Sequence, residues 1–82
     1  MHRFRVTDRD ADGQWIALSD SAGRHHIARA TSDVPPVGVT LAGSKPGLGF
    51  RVLACTQTDR PFRVIFEQID VDRSVINERA SG

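Results

Sequence analysis

Four arginines set in short apolar segments, Arg3, Arg5, Arg51 and Arg63, together with the single tryptophan, Trp15, are the side chains best suited to binding chemistry. A guanidinium presents five donors in a planar fork that matches phosphate or carboxylate. An indole offers a flat face on which a base or sugar can stack. Ten of the eleven basic residues are arginine, Lys45 being the exception. A GC-rich coding bias would produce the same composition, so the positions of the arginines matter more than their number.

Other chemistry finds less support. Asp8-Arg9-Asp10-Ala11-Asp12-Gly13 matches the first half of an EF-hand calcium loop, D-x-D-x-D-G. The position that should close such a site with a bidentate Glu is Ser19, and the flanks read as strands. A turn with solvated carboxylates is the plainer reading. His25 and His26 are adjacent, and adjacent side chains of a strand point to opposite faces, so one ion could not take both. Gly43 and Gly49 have the spacing of a phosphate-binding loop, but Phe50 follows where Lys is required. Gly47-Leu48-Gly49-Phe50 resembles the Gly–aromatic–Gly–Phe core of RNP-type strands, with Leu48 in place of the stacking aromatic. Ser19, Ser21, Ser44 and Cys55 are potential nucleophiles, yet no motif sets them beside a His and a carboxylate. No catalytic residue, metal or cofactor is expected, and the protein is not expected to be an enzyme.

The elements that must position the arginines are short alternating segments separated by turn residues. His2–Thr7, Gln14–Ser19 and Arg24–Ala30 read as a meander, with turns at 8–13 and at Asp20-Ser21-Ala22-Gly23. Thr31–Gly38 holds Pro35-Pro36 and reads as a crossing loop, since proline fits neither a helix interior nor a central strand. Val39–Gly43 follows as a short strand. Phe50–Gln57 and Pro61–Ile69 then form a hairpin through Thr58-Asp59-Arg60. Residues 1–69 read as one β-barrel domain, and 70–82 as a polar tail that is a short helix or disordered.

The triplet Phe-Arg-Val occurs three times, at residues 4–6, 50–52 and 62–64. In a strand each triplet sends Phe and Val to one face and Arg to the other. A three-residue connection in the hairpin would set Val52 opposite Phe66 and Ala54 opposite Val64 inside. It would set Arg51 opposite Glu67 and Leu53 opposite Ile65 outside, leaving Leu53 and Ile65 to be covered by the tail, another strand or a partner. Trp15 faces outwards with the arginines if Ile16 and Leu18 face the core; in the reverse register it is the central core residue.

Eighty-two residues suffice for one core, and a chain of this size buries roughly 60% of its unfolded surface. Eleven basic against ten acidic residues give a formal charge of +1, which excludes a strong bulk attraction to polyanions. One cysteine excludes an internal disulfide. No signal-peptide h-region and no membrane-length apolar run is present, so a cytoplasmic, bacterium-like setting and no membrane partner are expected. The expected fold is all-β: a small antiparallel barrel of five or six strands that resembles an OB-fold, with an SH3-like barrel as the alternative. The expected function is binding of oligonucleotides, as single-stranded DNA or RNA, through Arg3, Arg5, Trp15, Arg51 and Arg63. The alternative is a protein-interaction or assembly module, monomeric or homodimeric, that covers Leu53 and Ile65.

Overall fold

A computed structural model describes residues 1–10 and 14–81. The chain forms β1 (His2–Arg9), β2 (Trp15–Asp20), β3 (His25–Ala30), β4 (Thr40–Gly43), β5 (Gly49–Cys55), β6 (Pro61–Val71) and one helix, α1 (Arg73–Ser81). All neighbouring strands are antiparallel, and they close into a barrel in the order β1-β2-β3-β6-β5-β4. The meander, the proline-bearing crossing and the final hairpin stand in the sequence expected, with six strands in the ring.

Alternation places Phe4, Val6, Ile16, Leu18, Ala28, Leu41, Phe62, Val64 and Phe66 inside as one buried cluster. The crossing loop closes one end of that core. Pro35 is fully buried, Val34 and Val39 pack on the cluster, and the loop is tied to β1 by Gly38 N–H to the Val6 carbonyl (2.8 Å) and Val6 N–H to the Val39 carbonyl (3.0 Å). Gly38 holds a φ of 101°, a left-handed conformation that glycine adopts without steric cost.

The last hairpin departs from the expected register. Cys55 and Arg60 flank a tight turn of residues 56–59, with Asp59 N–H bonded to the Cys55 carbonyl (2.9 Å) and Asp59 at φ 58°. The turn therefore sits earlier in the chain than Thr58-Asp59-Arg60, and pairing becomes Phe50↔Ile65, Arg51↔Val64, Val52↔Arg63 and Leu53↔Phe62. An odd shift exchanges the two faces of a strand. Leu53 is consequently a fully buried core residue and not part of an outer face. Phe50 and Val52, expected inside, are exposed. Ile65 stays outside as expected, paired with Phe50. Gly43 lies against Leu53: a side chain there would collide with the Leu53 side chain and the Val52 carbonyl.

A second, smaller apolar cluster lies outside the barrel wall. Helix α1 lays Ile76 over Ala17 of β2 and Ile27 of β3, all three fully buried, with Trp15, Val71 and Val75 at the margin. Arg73 anchors the helix start by a two-pronged bond to the Asp8 carboxylate, 2.6 and 3.1 Å. No helix among the described residues is long and apolar enough to cross a membrane.

Candidate functional site

The ring order decides which arginines can act together. β1 and β6 are three strands apart in either direction, so their outer faces lie on opposite sides of the barrel. Arg3 and Arg5 occupy the outer face of β1, and Arg63 that of β6, all exposed. Arg51 belongs to neither group. It sits on the inward row of β5 with Leu53 and Cys55, at the mouth of the barrel. Its guanidinium folds back to donate to the Phe50 carbonyl (2.7 Å) and lies over Gly47, where a side chain would have to displace it. The expected Arg51–Glu67 pair is absent; Glu67 instead accepts from Arg29 at 3.1 Å. The arginine face is thus divided: Arg3 stands with Arg5, while Arg51 and Arg63 stand apart.

Trp15 lies on the outer face, as the first of the two registers requires, but it is half-buried against the cluster under α1. Arg79 lies over its ring at 5.8 Å. Its place is the rim of a packing contact, remote from the β1 arginines' row.

Around β1 the surface is concave. A cleft of about 260 Å³ is lined by Arg3, Arg5, Ser19, Ser21, Thr40 and the edge of Asp20. Ser19 and Thr40 are the residues directly across from Arg5 on β2 and β4. A second cleft of about 270 Å³ continues round the barrel mouth and shares Asp20 and Ser21, adding His2, Arg24 and Lys45.

Asp20 itself is committed to structure. One carboxylate oxygen accepts the Ala22 and Arg24 N–H groups (2.9 and 3.0 Å), closing the β2–β3 turn. The other bonds His26 Nε2 at 2.9 Å. Burial pushes the Asp20 carboxyl up, but the His26 bond and the two backbone donors outweigh it and hold the group below its ordinary value. His26 is fully buried, stacked on Phe66, and its Nδ1 accepts the Asp70 N–H at 3.0 Å. That arrangement requires the proton on Nε2, facing Asp20. His26 is therefore a core residue with both ring nitrogens used. The dipeptide gave no sign of this, although Asp20 heading an Asp-Ser-Ala-Gly turn was a legible cap.

Asp8 is engaged by Arg73, whose guanidinium and the Thr7 hydroxyl draw its carboxyl below the ordinary value against the opposing effect of burial. Asp12 and Gly13 of the acidic turn lie outside the described residues. Among the described residues no group of three His, Cys, Asp or Glu could hold a metal. Cys55 is buried, and the Thr58 hydroxyl with the Gln57 and Thr58 N–H groups draws its thiol below the ordinary value.

No known protein family, curated protein or solved structure matches this chain. Function must be argued from its own surface.

That surface carries one feature missed in the sequence. Six large apolar side chains are exposed among the described residues, and four of them stand together: Leu48 (66%), Phe50 (54%), Val52 (49%) and Ile65 (37%). Phe50 and Val52 are alternate residues of β5, Leu48 lies just before the strand, and Ile65 is the partner of Phe50. The signal was present as alternation, but both faces of 50–55 are apolar, so composition alone could not say which face is outside.

Proposed function

We propose that this protein is an assembly module that pairs with a second copy of itself through the outer face of the β5–β6 hairpin. The observation carrying the proposal is the symmetry of that face about the Phe50–Ile65 row. β5 presents Phe50 and Val52, with the exposed Leu48 just ahead of the strand, and β6 presents Glu67, Ile65 and Arg63. A two-fold axis along the row, perpendicular to the strands, sets two copies face to face with the strands antiparallel. Phe50 then meets Phe50 and Ile65 meets Ile65. Leu48 meets Val52, and Arg63 meets Glu67. Every apolar side chain of the six falls on an apolar one and every cation on an anion, the self-complementarity an isologous interface requires. Arg29 shares the row one strand further round, where the barrel wall curves away, and is already paired with Glu67. The patch is smaller than a standard stable interface, so the expected dimer is weak and exchanging.

Light scattering coupled to gel filtration tests this. Mass should rise from 9.0 kDa toward twice that value as concentration increases. Phe50→Asp or Ile65→Asp should hold it at the monomer. Arg63→Glu should weaken pairing, and adding Glu67→Arg in the same chain should restore it. A wild-type monomer at about 1 mM, where even a contact of about −4 kcal/mol would half-associate, would exclude the proposal.

The oligonucleotide-binding reading loses its four-arginine face and keeps the Arg3–Arg5 pair on β1.

A further inference from the structure

We infer that the two joined clefts on β1 and the barrel mouth form a track for successive phosphates of a single-stranded nucleic acid. The track begins with Arg5 and Arg3, alternate residues on one strand face, about 6.6 Å apart along it. That separation is comparable to the distance between neighbouring phosphates of an extended strand. The track continues past Ser21 to Arg24 and Lys45. None of these four cations makes an ion pair among the described residues. The one carboxylate in the track, Asp20, has both oxygens occupied by His26 and by two backbone N–H groups, and its side chain is only 8% exposed. It therefore cannot close over the arginines and cancel them.

The donors around the arginines fit the same ligand. Ser19 and Thr40 flank Arg5 on the neighbouring strands, and Ser21 stands at the junction of the clefts. Phosphate oxygens only accept hydrogen bonds; guanidinium forks and small hydroxyls are the donors that satisfy them without crowding. His2 is the exposed ring at the mouth cleft and can stack on one base, and the remaining lining donors contact the phosphate backbone. The β1 part of the track is separate from the proposed pairing surface on β5 and β6, while its far end at Lys45 lies in the loop that leads to Leu48.

Fluorescence anisotropy with labelled dT15, titrated with NaCl, provides the test. Micromolar binding is expected at low salt. Four phosphate contacts at about 0.7 each give a slope of log K against log salt of about −3. Arg3→Ala with Arg5→Ala should lower the slope by about 1.4 units, from two lost contacts at that value. These side chains are exposed, so an unchanged melting temperature should accompany the loss. Arg63→Ala, on the far side, should leave the slope as in wild type. Absence of binding at low salt, or an effect of Arg63→Ala equal to that of the β1 pair, would overturn the assignment. So would tripolyphosphate binding while dT15 does not, which would assign the track to a free polyanion.

Discussion

Asp20 joins three segments with two oxygens: its own turn, His26 on β3 and, through His26, the Asp70 amide on β6. Asp70 holds a φ of 56° beside the irregular pairing of β3 with β6, so the imidazole satisfies an amide that has left the regular ladder. Removing one partner of such a buried set leaves the others unsatisfied, at about 1–3 kcal/mol for each stranded group. Asp20→Ala is therefore expected to lower unfolding free energy by at least that amount in urea denaturation. The pH dependence has a definite sign. The Asp20 carboxyl is depressed below its ordinary 3.8 in the folded protein, so its contribution is complete above that value and disappears as pH falls through the lower, folded one. Asp8, depressed beside Arg73, acts in the same direction. Thermal melting should thus fall steeply below about pH 4, and Asp20→Asn should flatten part of that fall. A variant melting curve as steep as wild type would contradict the role given to this carboxylate.

The hairpin of β5 and β6 tests the strand faces directly. Leu53 is in the core and Val52 is outside, so Leu53→Ala should cost about 2–5 kcal/mol, whereas Val52→Ala should stay within about 0.5. The register read from the sequence gives the reverse order, so one pair of chemical denaturation curves separates them. Much of the fold was legible because period-two alternation is unambiguous where one face is polar: β1, with Arg3 and Arg5 against Phe4 and Val6, and β6, with Arg63 against Phe62 and Val64. β5 was not legible for the same reason in reverse. Phe50, Val52 and Ala54 alternate with Arg51, Leu53 and Cys55, and either set can fill a core. The turn then decides, and residues 56–59 contain no Asn-Gly or Gly-Gly signal to fix its length. Trp15 was ambiguous because its cover comes from α1, whose only fully buried side chain, among those described, is Ile76. A single apolar contact of that kind leaves almost no periodic trace in an otherwise polar segment.

At the level of the whole molecule, ring order separated residues that composition had grouped. No local pattern reveals that β1 and β6 face away from each other, because that depends on β1 taking β4 as its second neighbour. The proposed pairing face and the β1 arginines lie on different walls, and the two meet in the loop from Lys45 to Leu48. The same ring order also bears on synthesis. β6 is the stave that joins β3 to β5, and it is the last of the six to be made. Until it leaves the ribosome, the nascent chain can hold only an open sheet, with β3 and β5 as two bare edges whose amides and carbonyls invite any passing strand. A fragment ending at residue 60 should therefore be recovered in aggregates, while the chain through β6 and α1 is soluble. Pelleting assays on arrested translation products would show the change from one behaviour to the other as the stave emerges. The vulnerable interval opens when β5 is complete at Cys55 and closes when β6 has joined the ring.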